Sequence, residues 1–225
     1  MSKKTLSEQL FEKFCDSNDI DWSPITPDGK NYYKNPDYRI ECGGSTIIVE
    51  VKEMGETPDD RIHRKRFNLT GSTGPFDPKL DKRVRKKIDR AMPQLKRVAK
   101  DRCPAVLVLY DKECIIPLEG LEIRLAMYGQ DIVDVGVIDN NSSTPVIITS
   151  HRFGANQKVG KKHNTTLSAI ALLTIQEDKS LHLDFYHNKY AAIPLNPEWL
   201  RISTVNHYRL RDHPESGGLI SWEMI

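Results

Sequence analysis

Two short β-strands joined by a Gly-Gly pair constrain the fold of this chain more than any other feature. Residues 37–42 and 45–52 alternate polar and apolar side chains and flank Gly43-Gly44. A two-residue hairpin turn needs positive φ at both central positions, which glycine adopts without steric cost. The sequence therefore predicts an antiparallel hairpin, and the turn sets the register of every opposed pair.

That register sorts the hairpin side chains into two faces. The apolar face carries Tyr38, Ile40, Ile47, Val49 and Val51. The other face carries Asp37, Arg39, Glu50 and Lys52, with Asp37 directly opposite Glu50. Directly opposed residues have Cβ atoms about 4.5–5.5 Å apart. Two carboxylates at that distance would repel each other unless a cation lies between them.

A divalent metal ion suits such a pair of carboxylates. Mg²⁺ prefers oxygen ligands at about 2.0–2.1 Å and is commonly held by one or two carboxylates with water and phosphate oxygens. Lys52 follows Glu50 by two residues and projects from the same face, where its ammonium would orient an attacking water or stabilise developing charge. A bound metal would acidify that water and polarise a phosphodiester. The hairpin therefore predicts metal-dependent phosphodiester hydrolysis.

The spacing of these residues resembles a known nuclease signature. Pro36-Asp37, then twelve residues, then Glu50-Val51-Lys52 is similar to the motif of the PD-(D/E)XK nucleases, which include restriction endonucleases. The resemblance implies a restriction-endonuclease-like α/β core of helix, hairpin, helix and strand. It also implies that Asp37, Glu50 and Lys52 are catalytic and that Mg²⁺ is the cofactor, with Mn²⁺ as a substitute. The implied substrate is nucleic acid, DNA rather than RNA, cut by an endonuclease.

Two further residues enter through the resemblance. A glutamate on the first helix often joins the metal site of this family, which implies Glu8, at the edge of the apolar stripe. Thr5-x-x-Glu8 also reads as a capping box, so Glu8 has an equally good structural role. Gln94 lies in the second helix, where some members place a glutamine near the site.

Apolar periodicity predicts the elements around the hairpin. Helical spacing predicts a first helix at residues 5–17 and a basic amphipathic helix that begins at Lys79 and is kinked or divided by Pro93. A near-continuous apolar run at 104–110 predicts a strand that is buried on both faces. Residues 19–34 have the composition of a loop. The chain thus reads as an α/β protein with a mixed sheet.

The C-terminal half yields weaker patterns. A helix is predicted at 119–128, and strands are predicted at 131–138, 145–150, 169–176 and 181–186. A chain of 225 residues suits one domain, with a nuclease-like core at about 5–110 and an elaboration at about 111–225. The segments 151–158 and 186–188 resemble parts of bacterial family members, without an assigned role.

Positive charge is concentrated in one stretch. Residues 61–102 hold fifteen Lys and Arg against four Asp and Glu, a balance of +11, whereas 1–60 and 103–225 have balances of −6 and −3. Phosphate-backbone binding needs such a stretch, although a solvated helix face would look the same. Part of it lies in a predicted loop at 54–78. The residues predicted to contact nucleic acid are Arg64, Lys65, Arg66, Lys82, Arg83, Lys86 and Lys87.

Other classes of protein find little support. The sequence has no P-loop, no H-E-x-x-H motif, no C-x-x-C pair and no apolar run of about 18 residues. A cytoplasmic protein without a membrane partner is therefore expected. Symmetric cleavage of a duplex would favour a homodimer. Two alternatives stay open: a catalytically silent nuclease-like module that binds nucleic acid or protein, and a structural α/β protein whose basic helix is solvated.

Overall fold

The computed structural model describes residues 4–26, 34–72, 80–100, 102–112, 117–137, 146–213 and 219–225. The helices are α1 (Leu6–Ser17), α2 (Pro58–Thr70), α3 (Leu80–Ala99) and α4 (Gly120–Tyr128), with a 3₁₀ turn at Pro197–Leu200. The strands are β1 (Asp21–Pro24), β2 (Tyr38–Cys42), β3 (Ser45–Met54), β4 (Ala105–Asp111), β5 (Asp131–Val137), β6 (Val146–Phe153), β7 (Leu167–Ile175), β8 (Leu181–His187), β9 (Val205–His213) and β10 (Leu219–Met224).

One large mixed sheet organises these elements. It has eight strands in the order β1-β2-β3-β4-β7-β8-β9-β10, and β5 pairs with β6 in a separate ribbon. The pairs β3–β4, β4–β7 and β8–β9 are parallel, and the other pairs are antiparallel. The α/β class with a mixed sheet flanked by helices is therefore confirmed.

The β2–β3 hairpin has the predicted register. Tyr38 pairs with Val49, and the pairing continues to the turn, where Gly43 and Gly44 have φ of 57° and 73°. A Cβ on Gly43 would lie 2.2 Å from the ring of Trp199, so a side chain would clash there as well as strain the backbone. The turn therefore requires glycine at its first position for two independent reasons.

Each face of the sheet is covered by helices. On one face, Phe11 and Phe14 of α1 pack with the apolar side chains of the hairpin. On the other face, α3 and α4 pack against side chains that include Ile48 and Leu107. β4 contributes to both cores, as its apolar run predicts. The hairpin face predicted to be polar is thus partly covered by α3: Glu50 is buried there, Asp37 and Lys52 are half-buried, and Arg39 is exposed.

Two predictions around the hairpin are wrong. The predicted loop at 54–78 contains the helix α2, which Thr57 and Asp60 cap reciprocally and which starts with Pro58. Its apolar residues form no stripe, so periodicity did not indicate it. Pro93 is predicted to kink or divide the helix, and the division is absent, because α3 runs unbroken from Leu80 to Ala99. Pro93 lies on the exposed side, where water can satisfy the carbonyl that proline leaves unbonded.

Several further strands have no counterpart among the predictions. β1 lies inside the predicted loop at 19–34, and β9 and β10 complete the far edge of the sheet. The predicted α4 and β5 to β8 are present, with shifted ends. Within the described part of the chain, no helix is both long and apolar enough to cross a membrane.

Candidate active site on the hairpin

The predicted catalytic residues converge where the hairpin enters the centre of the sheet. Asp37 immediately precedes β2, and Glu50 and Lys52 lie on β3, which pairs in parallel with β4. The Val51 backbone N–H donates to Asp37 Oδ2 at 2.8 Å, which fixes this carboxylate against β3. One hydrogen bond, from a backbone N–H to a side-chain carboxylate, therefore joins the two halves of the predicted motif.

Glu50 is the most buried charged residue of the site. Its side chain has an exposed fraction of 0%, and that of Lys52 is 17%. Lys52 Nζ donates to Glu50 Oε1, whereas Glu50 Oε2 is buried without a hydrogen-bond partner. A buried carboxylate oxygen without a partner costs about 1–3 kcal/mol or more. Such a group in a folded protein calls for a reason, and a ligand is one.

Asp37 sits in an environment that favours protonation. Burial raises the pKa of its carboxyl, and the negative charge of Glu8 raises it further. The Val51 N–H bond and the cations Lys52 and Lys34 act in the opposite direction. The carboxylate opposition expected from the register is therefore not the main effect, since Glu50 is neutralised by Lys52 and burial dominates at Asp37.

Lys52 is poised to titrate near neutral pH. Burial, together with the nearby cations Lys34 and Lys87, lowers its pKa to about 8. Asp37 and Glu8 favour the charged form and oppose this shift. The ammonium form is therefore the major one at pH 7, and the neutral amine becomes the major one above pH 8.

Glu8 forms the capping box that the sequence suggested, and its charge reaches the candidate site. Its carboxylate accepts from the Thr5 backbone N–H at 2.5 Å in a capping box at the start of α1. Its charge also acts on Asp37 and Lys52. Glu12, one turn later, instead accepts from the Tyr38 hydroxyl at 2.7 Å. Of these two acids on α1, Glu8 is therefore the one whose charge acts on Asp37 and Lys52.

Gln94 supports the site from outside. It is buried on α3, and its Nε2 donates to the Asn35 carbonyl oxygen at 2.9 Å. Arg97, one turn later, donates to the Asn35 side-chain oxygen. These bonds hold the chain two residues before Asp37. Gln94 therefore positions the strand that carries the carboxylate, a role that the sequence resemblance did not specify.

The predicted nucleic-acid contacts divide into two groups. Lys87 donates to the Glu53 carbonyl oxygen at 2.6 Å, and burial lowers the pKa of its ammonium. Arg83 bonds to the Gly55 carbonyl oxygen at 2.6 Å and pairs with the buried Asp60 at 3.3 Å. These two cations anchor the segment between β3 and α2.

The remaining cations of that prediction face solvent. Lys82 and Lys86 are exposed on α3, and Lys65 and Arg66 are exposed on α2. Arg64 is exposed as well but pairs with Glu56. A basic surface therefore lies on the two helices that follow β3.

The side chains suit a divalent cation by their chemistry, although they are not arranged as a finished metal site. Among the described residues, no three His, Cys, Asp or Glu side chains lie close enough to hold a metal ion. The buried Glu50 Oε2 nevertheless lacks a partner, and Asp37 immediately precedes the adjacent strand. Carboxylate oxygens of this kind are what Mg²⁺ takes up together with water. The argument that a divalent cation fits here depends on Glu50 Oε2, the buried oxygen without a partner.

The histidines of the C-terminal half serve the fold. His151 approaches Asp131 at 3.1 Å and accepts from the Ile220 backbone N–H at 2.8 Å, which ties the β5–β6 ribbon to β10. His187 and His207 join ring nitrogens at 2.9 Å across β8 and β9. The segments 151–158 and 186–188 thus carry structural contacts.

Comparison of this chain with protein-family models, with curated proteins and with solved structures returned no match.

Proposed function

We propose that this protein is a metal-dependent endonuclease of the PD-(D/E)XK type, with a restriction-endonuclease-like core. The observation that carries the proposal is the buried Glu50–Lys52 pair, which leaves Glu50 Oε2 without a partner beside Asp37. The order α1, hairpin, α3 and β4 supports the proposed core. The proposed substrate is nucleic acid, DNA in preference to RNA, and symmetric cleavage of a duplex would use a homodimer.

In this mechanism Asp37 and Glu50 would hold Mg²⁺, or Mn²⁺ in its place, and Glu8 would add negative charge. When bound, the cation would acidify a water and polarise the phosphodiester. Lys52 contributes its ammonium to phosphate oxygens as negative charge develops on them. Because the pKa of Lys52 is about 8, the cleavage rate should fall as pH rises above that value. The α3 helix excludes bulk water from Glu50, which strengthens each of these interactions.

The exposed cations of α2 and α3 serve the same substrate. Lys82 and Lys86 lie on the helix that covers the site, and they would neutralise backbone phosphates on either side of the cut. Such contacts position a strand without reading its sequence. The proposal therefore assigns general affinity to these helices and chemistry to the hairpin.

A cleavage panel tests the proposal. Supercoiled, linear and single-stranded DNA and an RNA of similar length are incubated with the protein in Mg²⁺, in Mn²⁺ and in EDTA. Cleavage of one or more substrates in either metal, and of none in EDTA, is the expected result. If every substrate stays intact under all three conditions, the catalytic proposal fails.

A silent binding module is the second candidate, and the ion pair itself favours it. Lys52 already neutralises Glu50, so the fold can hold this pair without any bound cation. A metal titration separates the two candidates. A nuclease should gain thermal stability with Mg²⁺, by about 2.7 kcal/mol at a concentration one hundred times the Kd. Asp37→Asn should abolish the gain and Lys52→Met should keep it. Nucleic-acid binding without any metal-dependent shift or cleavage would support the silent module.

A further inference from the structure

A second cleft lies beside the hairpin, at the C-terminal end of α3. It has a volume of about 460 Å³ and is bounded by β1, by the start of β2 and by the last turn of α3. Three cations line it, Arg39, Arg97 and Lys100, and the described lining residues include no acid. Ser23, Thr26 and Asn35 add polar groups. A concave site with this lining is built for an anion.

The lining combines fixed and adaptable cations. Arg97 is held in place by its hydrogen bond to the Asn35 side chain. Arg39 and Lys100 have exposed side chains, so they can adjust to a ligand. Pro24, Ile25 and Val98 add apolar surface to the same cleft. A ligand with both a phosphate and a flat organic part matches this mixture better than a bare anion does.

The cleft is lined by residues on either side of Asp37 in the chain. Arg39 lies two residues beyond Asp37 on the same face of β2, which corresponds to about 7 Å along a strand. Asn35, which lines the cleft, lies two residues before Asp37 and is held by Gln94. A neighbouring cleft of about 520 Å³ shares Arg39 and Val98 and adds Arg102. Cationic surface therefore leads away from Asp37 in one direction.

We propose that this cleft binds a phosphorylated nucleotide of the substrate strand, adjacent to the phosphodiester that is cut. Arg39, Arg97 and Lys100 bind its phosphate, and the apolar side chains contact the nucleoside. This proposal rests on the proposed nuclease function for the identity of the strand. It assigns the cleft a role in placing the strand, distinct from the chemistry at Asp37 and Glu50.

Binding without cleavage tests the cleft separately from catalysis. A fluorescently labelled pentathymidylate is titrated into the wild-type protein in EDTA, with pentauridylate as the ribose counterpart. The double variant Arg39→Gln, Lys100→Gln should bind the preferred strand roughly tenfold or more weakly, because it loses two charge-assisted contacts. Lys96→Gln is the matched control, since Lys96 is exposed on the same helix and does not line the cleft. It should bind like the wild type.

Competition identifies the bound group. Thymidine 5′-monophosphate should displace the strand from the wild type, and thymidine should not. Equal loss of affinity in the double variant and in Lys96→Gln would overturn the proposal, as would competition by inorganic phosphate as strong as that by the nucleotide. A protein that binds through this cleft but cleaves nothing would refute the nuclease alone. A protein that cleaves, and whose double variant binds and cleaves normally, would refute the cleft alone.

Discussion

The sheet buries two pairs of titratable side chains that differ in almost every other respect. Glu50 and Lys52 lie on β3 under α3 and carry opposite charges, and Glu50 Oε2 lacks a partner. His187 and His207 lie on β8 and β9, where their ring nitrogens bond to each other at 2.9 Å. Burial lowers the pKa of His187 to about 4, so this second pair is neutral at pH 7.

The difference shows what distinguishes a candidate site from a structural polar cluster. His207 stacks on Phe185 with ring centroids 5.1 Å apart, and its Nδ1 bonds to His187 Nε2, whereas its own Nε2 is buried without a hydrogen-bond partner. Glu50 Oε1 accepts from Lys52, and Glu50 Oε2 is a buried acceptor without a hydrogen-bond partner. A buried polar atom without a partner therefore occurs in both pairs and does not indicate function by itself. At Glu50 the atom belongs to a carboxylate opposite a second acid, Asp37, whereas at His207 it belongs to a neutral ring.

Removal of one partner should change the unfolding free energy by more in the Glu50–Lys52 pair than in the histidine pair. Lys52→Met leaves the Glu50 carboxylate buried without a counter-charge, and such a change costs about 3–5 kcal/mol of unfolding free energy. The double variant Glu50→Gln, Lys52→Met retains no buried charge and should recover part of that loss. Urea denaturation measures both. A double variant no more stable than the single one would show that the charge of Glu50 is not what Lys52 compensates.

The histidine pair should respond less strongly. His187→Phe leaves one ring nitrogen of His207 without its partner, which costs about 1–3 kcal/mol. Cleavage at saturating metal should stay at the wild-type rate, because this pair lies away from the hairpin. His182→Phe, on the same strand, is the matched control and should change the stability less. A His187→Phe protein that folds normally but has lost cleavage would break the proposed division between the two pairs.

The two pairs should also produce different pH windows of stability. The pKa of His187 is about 4 in the folded protein against 6.5 ordinarily, so the unfolded chain binds the proton first and stability falls as pH drops from 6.5 to 4. The pKa of Lys52 is about 8 against 10.5, so stability rises as pH increases from 8 to 10.5. Each contributes a slope of up to about 1.4 kcal/mol per pH unit.

Denaturation curves across this pH range measure both windows. His187→Phe should lose the dependence of stability on pH at acid pH, and the Glu50→Gln, Lys52→Met variant should lose it at alkaline pH. If neither variant alters the profile in its own window, the folded pKa of both groups must lie near the ordinary value. The assignment of the two windows would then be wrong.

The exposed cations should give the smallest effect. Lys82→Glu with Lys86→Glu should weaken binding to all nucleic-acid sequences alike and reduce the slope of log affinity against log salt by about 1 for each lost phosphate contact. Lys87 is left unchanged because it bonds to the Glu53 carbonyl oxygen. The control exchanges Lys13 and Lys179 for Glu, both exposed and outside α3. An identical salt slope in all three proteins would remove α3 from the binding surface.

The hairpin was predictable because its signals are local. Gly43-Gly44 specifies the turn, and period-two alternation specifies which side chains share a face. The position of Asp37 relative to Glu50 and Lys52 follows from these alone. The burial of Glu50 does not, because it depends on α3 folding back over β3 from thirty or more residues away.

The errors have equally specific causes. α2 carried a readable start signal, Thr57-Pro58-Asp59-Asp60, but its interior lacks an apolar stripe and so resembles a loop. The supporting roles of Asn35 and Gln94 depend on a contact between a loop and a helix 59 positions apart, which no local pattern encodes. The pKa of Asp37 was expected to reflect carboxylate repulsion, yet burial dominates it. Tertiary packing decides each of these features.

The central claim is that Glu50 is required for metal-dependent cleavage. The most direct test compares cleavage by the wild type and by Glu50→Gln, in Mg²⁺ and in EDTA, on the substrate that the panel selects. Glu41→Gln, an exposed acid on the same hairpin, is the control. We expect metal-dependent cleavage by the wild type and by Glu41→Gln, and a single-turnover rate lower by about 10²–10³-fold or more in Glu50→Gln, since a key electrostatic group is lost. Undiminished cleavage by a folded Glu50→Gln protein would contradict the account.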